Sequence, residues 1–408
     1  MPSQWLIINP QTNNGKKEMI AVIADDFTGA AEIAGLGLRY GLKVEIESHE
    51  FTKSDADLII IATDTRSMSS NEAYNEVLTI TKQIKKQNCD WLYKKTDSVF
   101  RGHIYKELLA ILDTHMFSQA LLVPANPMLG RKIEDGVYYI NNQLLHETNF
   151  SEDPDFALTT SNVLELIRSD YRNSVSLARP DEIVSKPGIT IGEAVSVEDL
   201  NKWAAKVKNG ILPAGGAGFF SSLLEIQGFK EKNKNGIEDY PFGRNFLFVC
   251  GSALSKGRFA ANSEEECEIM TLPMPEAVFH KTQNANAEYD KWKENIINAF
   301  QNTNAALIEI DQPVVRDRKF SSWLRETMAQ LVFEVSKEVE INELLIDGGA
   351  TVYSIAEKMG MQKFFPVQEL APGVVRMKIE GKENLSVTIK PGSYLWPEKL
   401  LELSCDNK

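Results

Sequence analysis

The chain has 408 residues, more than one hydrophobic core usually organises, so two domains are expected. Its 43% hydrophobic and 25% charged content suits a water-soluble globular protein, and a net charge of −13 argues against a nucleic-acid surface, which needs a clustered basic footprint. No run approaches eighteen uninterrupted apolar residues and the polar N-terminus lacks a signal-peptide core, which speaks against membrane and secretory sorting.

The first eighteen residues, including Trp5-Leu6-Ile7-Ile8, read either as an added edge strand or as an oligomer contact. The apolar run Met19 to Ala24 reads as a strand that delivers Asp25-Asp26 into Phe27-Thr28-Gly29, where a helix opens through Ala31-Glu32-Ile33-Ala34. In open α/β sheets, side chains at a strand's carboxyl end and N–H groups at the following helix start face one crevice, where ligands bind. The competing reading is that Asp26 or Thr28 simply caps the helix.

Further strands are expected at Lys43 to Glu47, Leu58 to Ala62, Trp91 to Tyr93 and Ala120 to Val123, with helices at Ser69 to Gln87 and Ile104 to His115. That alternation predicts a parallel sheet. A second polar group, Lys94-Lys95-Thr96-Asp97-Ser98 with Arg101-Gly102, directly follows the Trp91 strand, and its cations offer local positive charge for an anion. The runs around Asn141-Asn142 within Gly136 to Leu145 read as a hairpin. Gly188 to Ile191, a helix over Val197 to Val207 and the turn Gly215 to Gly218 finish the first half.

The charged, apolar-poor stretch Gly228 to Gly236 cannot bury itself, so residues 228–244 are expected to connect the domains. Beyond it the rhythm restarts: Asn245 to Cys250 as a strand, Gly251-Ser252-Ala253 as a small-residue turn into a helix, Ala305 to Ile310, a helix over Phe320 to Lys337, and Glu343 to Ile346. Asp347-Gly348-Gly349-Ala350-Thr351 then opens a helix over Val352 to Met359. The expected fold is therefore α/β with two domains, residues 1–227 and 245–408, each a largely parallel sheet flanked by helices, with a ligand cleft between them.

The chain has no G-x-x-x-x-G-K-[ST] loop, so glycine turns would have to receive any phosphates. At Gly348 to Thr351 the backbone N–H groups and the helix dipole suit that task, although Gly-Gly at such a turn also serves as a tight connection. A nicotinamide site is excluded on spacing, because Gly29, Gly35 and Gly37 do not form G-x-G-x-x-G. The four cysteines, Cys89, Cys250, Cys267 and Cys405, are scattered without a C-x-x-C pair; reduced, mostly buried thiols point to the cytoplasm. His49, His115 and His280 show no ligand spacing and read as solvated, while His103, at a helix start beside Arg101-Gly102, is open between capping and a contact to substrate.

The ordered set Asp25-Asp26-Phe27-Thr28-Gly29, Thr65-Arg66-Ser67, Lys95-Thr96-Asp97-Ser98 and Arg101-Gly102 resembles the four-carbon acid sugar kinases, which phosphorylate threonate, erythronate or 3-oxo-tetronate with ATP. Pro124-Ala125-Asn126-Pro127, Gly130-Arg131, Gly251-Ser252, Gly348 to Thr351, Pro372-Gly373 and Lys390-Pro391-Gly392 extend the resemblance to nearly the whole chain. It implies an acid-sugar site on Asp25, Asp26, Arg66, Lys95, Thr96, Asp97, Ser98 and Arg101, with Asp26 and Asp97 catalytic. It also implies an ATP site on Ser252, Gly348, Gly349, Ala350, Thr351 and Gly392, Mg²⁺ without a nameable protein ligand, and closure of two domains over the reactants. In that reading Arg66, if not simply paired with Asp64, receives the substrate carboxylate as a bidentate fork, and Asp26 contacts the reacting hydroxyl. Lys95 offsets charge, while Lys94 points to the other face.

Four positions depart from the family pattern: Pro391 where a donor is usual, Val99 and Phe100 before Arg101, and His103 in place of asparagine. They loosen the substrate's identity. The partners expected are a small sugar acid and ATP, with a homo-oligomer open, and a non-catalytic sugar-acid sensor is the alternative reading.

Overall fold

The computed structural model describes residues 19–400 apart from 53, 88, 154–155, 168–174, 185–186, 233–239, 252–268, 393 and 399. The chain divides into two compact units at Gly236/Ile237.

In the first unit the chain runs β1 (Ile20–Ala24), α1 (Phe27–Arg39), β2 (Val44–Ser48), β3 (Leu58–Ala62), α2 (Ser70–Gln87), β4 (Trp91–Lys95), α3 (Ile104–Leu112) and β5 (Gln119–Val123). It continues through β6 (Arg131–Glu134), β7 (Val137–Ile140), β8 (Gln143–Leu144), α4 (Val163–Leu166), β9 (Val175–Ala178), β10 (Gly188–Gly192), α5 (Val197–Ala204), β11 (Ile211–Gly215) and α6 (Ala217–Ile226). The main sheet has the order β2-β3-β1-β4-β11-β5-β10-β9, with every pairing parallel. β1, β3 and β4 are buried at every position, which is why their sequences read as near-continuous apolar runs rather than alternations. α2, by contrast, buries Ala73, Val77, Ile80, Thr81 and Ile84, one stripe at helical spacing.

The expected hairpin is present as β7–β8, and Asn141 and Asn142 adopt φ of 51° and 65°, the left-handed pair that a two-residue turn requires. β6 pairs with β7 as well, so the hairpin is part of a three-stranded antiparallel sheet.

The second unit comprises β12 (Phe246–Cys250), β13 (Met270–Pro273), α7 (Glu276–Phe279), α8 (Ala285–Thr303), β14 (Ala305–Glu309), α9 (Arg318–Glu338), β15 (Glu343–Asp347) and α10 (Gly349–Lys358), then β16 (Lys363–Ala371), β17 (Val374–Ile379) and β18 (Lys382–Lys390). Its order is β13-β14-β12-β15-β18-β17-β16, parallel as far as β18 and antiparallel from there. Phe246, Phe248, Leu307, Leu345, Val374 and Trp396 share its core.

The closing meander is a finding that the motif reading of Pro372-Gly373 passed over. That pair is the turn between β16 and β17, with Gly373 at φ 76°, and Gly381 at φ 71° turns β17 into β18. Arg376 on β17 is fully buried, donating to Glu343 at 2.6 and 3.0 Å and to the carbonyls of Tyr240 and Pro241 at 2.9 Å each. The connecting segment is thereby anchored to the second unit from Tyr240 onward, while Phe229 and Lys232 bond back to Leu224 and Arg39 of the first.

Candidate functional site

β1, β3 and β4 end level with one another, Ala24 lying opposite both Ala62 and Lys95, so the residues that follow each strand meet at one edge of the first unit. Asp25 and Asp26 follow β1, Arg66 follows β3, and Thr96, Asp97 and Ser98 follow β4. This brings the sequence-predicted acid-sugar residues together.

Asp26 is the N-cap of α1: Oδ1 accepts from the Gly29 N–H at 2.7 Å, while Oδ2 accepts from the Thr28 hydroxyl at 2.6 Å and from Arg66 Nη1 at 2.9 Å. The capping reading of Asp26 is therefore its geometry, with the Arg66 pair added. Arg66 also donates from Nε and Nη2 to Oδ2 of Asp25, at 3.1 and 2.8 Å, and Nη2 lies 3.5 Å from Asp97. Its fork is thus occupied by the two adjacent aspartates; Asp64, the other partner considered from sequence, accepts instead from Ser67.

The two neighbouring carboxylates are driven apart electrically. Burial raises the Asp25 carboxyl above its ordinary value against the pull of Arg66, and Asp26 adds to the rise. Burial acts in the same sense on Asp26, but Arg66 and the bonds from Thr28 and Gly29 outweigh it and hold that carboxyl below the usual range. Asp25 also carries an orphaned acceptor, since its Oδ1 is buried without a hydrogen-bond partner.

Asp97 receives the Arg101 guanidinium as a fork, Nε at 2.9 Å and Nη2 at 2.8 Å, together with the Arg101 backbone N–H at 3.0 Å. Burial opposes ionisation there, yet Arg101 and Arg66 hold the carboxyl far below the usual aspartate range. Arg101 reaches onward to Asp153 at 3.0 Å. Lys95 pairs with Glu32 of α1 at 3.2 Å, and Lys94 lies in the opposite direction, fully buried at 2.9 Å from Glu107 of α3, as expected for a strand that continues to Lys95. Thr96 is fully buried with an unpartnered hydroxyl, and Ser98 accepts from Arg131. His103 is fixed structurally: its Nε2 meets the Met68 carbonyl at 2.7 Å and its ring packs edge-on against Phe156.

In the second unit β12, β15 and β18 likewise end level, with Cys250 opposite Asp347 and Asp347 opposite Lys390. Lys390 and Asp347 form a buried pair at 2.6 Å beneath the glycine turn. Gly348 has φ 91° and ψ 127°, a conformation reserved in practice for glycine, and from it α10 starts with Gly349, Ala350 and a buried Thr351. A Cβ on Gly251 would sit 2.3 Å from the Thr351 hydroxyl, so β12 and α10 touch backbone to side chain. The Gly348 N–H donates to the Lys390 carbonyl and the Thr351 N–H to the Gly348 carbonyl, each at 3.1 Å, so the N–H groups of Gly349 and Ala350 are those the helix start offers to phosphate oxygens. Ser252 lies outside the described residues, as do residues 1–18.

Sequence reasoning missed Phe150, Asp153, Tyr138 and Arg131 as parts of the first unit's cluster. Arg101 and Arg131 both lie over the Phe150 ring, at 5.2 and 5.9 Å. Arg131 stood inside a quoted motif and Tyr138 in the hairpin around Asn141-Asn142, which the family resemblance sets near the acid-sugar site; Phe150 and Asp153 arrive from a loop that sequence spacing does not place. Cys89 and Cys250 are buried free thiols, the Cys89 thiol pushed by burial up to about 12. Among the described residues no helix is long and apolar enough to cross a membrane.

A model for a sugar-binding N-terminal domain matches residues 20–223, and one for a nucleotide-binding C-terminal domain matches residues 248–394. The chain belongs to the four-carbon acid sugar kinase family. It is 22% identical over 403 residues to a 3-oxo-tetronate kinase of Haemophilus influenzae, covering 92% of this chain and 97% of that one. It is also 22% identical over 408 residues to a D-threonate kinase of Salmonella typhimurium, covering 91% and 94%. Among solved structures, a Salmonella typhimurium LT2 protein has a TM-score of 0.70 at 19% identity, over 95% of this chain and 99% of its own, a likeness of fold.

Proposed function

We propose that the protein is an ATP-dependent kinase that phosphorylates a terminal hydroxyl of a four-carbon sugar acid of the threonate, erythronate or 3-oxo-tetronate type. The observation that carries this reading is the constellation of three buried aspartates and two half-buried arginines after the ends of β1, β3 and β4, in a chain whose relatives are named as kinases of such acids. Phosphoryl transfer asks a protein mainly for positioning and charge compensation. Thr96, Asp97, Ser98 and Arg101 would read the hydroxyls of the short chain, with the Arg66 lock holding Asp25 and Asp26 in place and Lys95 adding positive charge.

The proton of the attacking hydroxyl needs an acceptor whose pKa lies nearer the working range. Asp26 and Asp97 are shifted away from that range and their oxygens are engaged, so they serve as orienting charges. Asp25, shifted upward and with one oxygen unpartnered, is the acceptor in this reading. ATP supplies the γ-phosphoryl group, its phosphates received on the second unit by Gly348, Gly349, Ala350, Thr351 and Gly392. Among the described residues no group of three His, Cys, Asp or Glu side chains could hold a metal ion, and no residue is assigned to the Mg²⁺ that accompanies ATP.

The test is ADP release by purified protein with ATP, Mg²⁺ and a panel of four-carbon acids. Turnover of at least one acid is expected. Binding of an acid without turnover of any would leave the sensor reading in its place.

A further inference from the structure

Four of the five cations around the first unit's strand ends already have a carboxylate: Arg66 has Asp25 and Asp26, Arg101 has Asp97 and Asp153, Lys95 has Glu32, and Lys94 has Glu107. Arg131 is the exception, with no ion pair to a carboxylate among the described residues. Its one polar side-chain bond there is a donation from Nη1 to the Ser98 hydroxyl, which leaves four of its five donors without a partner among the described side chains.

The position of this arginine is built. Arg131 and Asn126 exchange backbone bonds of 3.0 and 3.1 Å across the tight loop between them, closed by Gly130 at φ 67°. The guanidinium rests over Phe150, the ring that Arg101 also covers. Two guanidiniums sharing a ring repel each other, and of these two only Arg101 has carboxylates paired with it among the described side chains, Asp97 and Asp153. The buried Tyr138 hydroxyl, which lies in the fields of both Arg131 and Asp97, stands without a partner, as do Thr96 Oγ1 and Asp25 Oδ1 at the neighbouring strand ends. Buried polar groups in such numbers mark a place where a polar ligand completes the bonding.

We propose that Arg131, rather than Arg66, anchors the carboxylate of the sugar acid, held in register by Ser98 and by stacking on Phe150. The inference rests on the kinase reading above and adds to it the residue that separates an acid from the corresponding neutral polyol. A planar fork with several free donors suits a carboxylate, and the negative charge would neutralise the second guanidinium on the ring.

The experiment compares Arg131→Ala and Arg131→Lys with the parental enzyme, using threonate and erythronate as probes, by kinetics and by calorimetric titration. Arg131→Ala is expected to raise the acid's KM by about 10- to 150-fold, the range of a charge-assisted hydrogen bond, with KM for ATP nearly unchanged. Arg131→Lys keeps the charge but not the fork and should recover only part of that loss. An acid KM within about twofold of the parental value in both variants would overturn the proposal, as would equal losses toward acid and ATP. If Arg131→Ala fails to fold, Arg131→Lys decides alone, and fully parental acid affinity in it speaks for a structural role. If the parental protein turns over no acid, the kinase reading fails by itself; calorimetry then judges Arg131 separately, with binding lost in Arg131→Ala supporting the anchor and equal binding, or no acid binding by the parental chain, removing it.

Discussion

The two units put their polar residues at the same topological place, the carboxyl ends of adjacent parallel strands, yet they fill it differently. At the ends of β1, β3 and β4 stand three buried aspartates laced by two arginines, a site made of side chains. At the ends of β12, β15 and β18 the described residues place a buried Lys390–Asp347 pair under a glycine turn, where backbone rather than side chains is on offer. Side chains with fixed donors and acceptors suit discrimination among hydroxyls and carboxylates, whereas a bare helix start suits phosphates, which ask for N–H groups and positive potential rather than a pattern. The contrast predicts that damage to each region should show in a different kinetic constant.

The largest expected effect is at Asp25. Asp25→Asn keeps the side chain's size but removes the proton acceptor, and turnover should fall by about 10²–10⁴-fold with little change in the affinity for acid or ATP. Steady-state rates beside calorimetric titrations check this. If Asp25→Asn stays active while Asp26→Asn is inactive, folded and still able to bind, the acceptor role belongs to Asp26.

Next comes stability. Asp97→Asn strips the shared anion from Arg101 and Arg66, and breaking a buried pair of this kind costs about 3–5 kcal/mol, measurable by chemical denaturation at pH 7. The sign with pH follows from the lowered carboxyl of Asp97: its contribution is complete above the ordinary aspartate range near 4 and is lost as pH falls below it. Asp25, raised instead of lowered, contributes in the opposite sense, its ionised form being the disfavoured one. Parental protein should therefore lose stability on acidification more steeply than the Asp97→Asn variant; parallel curves would remove Asp97 as the dominant acid-sensitive group.

The smallest effect belongs to the glycine turn. Gly348→Ala forces a Cβ into a φ of 91°, a strain of about 1–3 kcal/mol. The KM for ATP should rise while the KM for the acid stays at its parental value. A change in the acid KM alone would contradict the assignment of phosphates to this turn.

Much of this was legible in the order of residues. The apolar runs of β1, β3 and β4 announced a buried parallel sheet because strands covered on both faces have no polar alternation, and the polar residues directly after each run had to emerge at one sheet edge. The Asn141-Asn142 turn was legible for a local reason, since few residues other than glycine and asparagine enter the left-handed region readily. The meander of β16 to β18 was less so. Its turns are glycines that also fit a loop motif, and only the antiparallel pairing of β16 with β17 and of β17 with β18 shows that they close hairpins.

Sequence by itself determined which residue types stand at the strand ends, because composition and periodicity are properties of the chain. Which of the distant ones pair was decided by tertiary structure. That Arg66 turns to Asp25 and Asp26 rather than Asp64 is an outcome of where β1 and β3 lie in the sheet, and that Asp153 and Phe150 reach Arg101 is an outcome of how a distant loop folds back. The physical reason is that a buried charge must find an opposite charge within a few ångströms, and that distance is set by strand order and register, which local sequence does not encode.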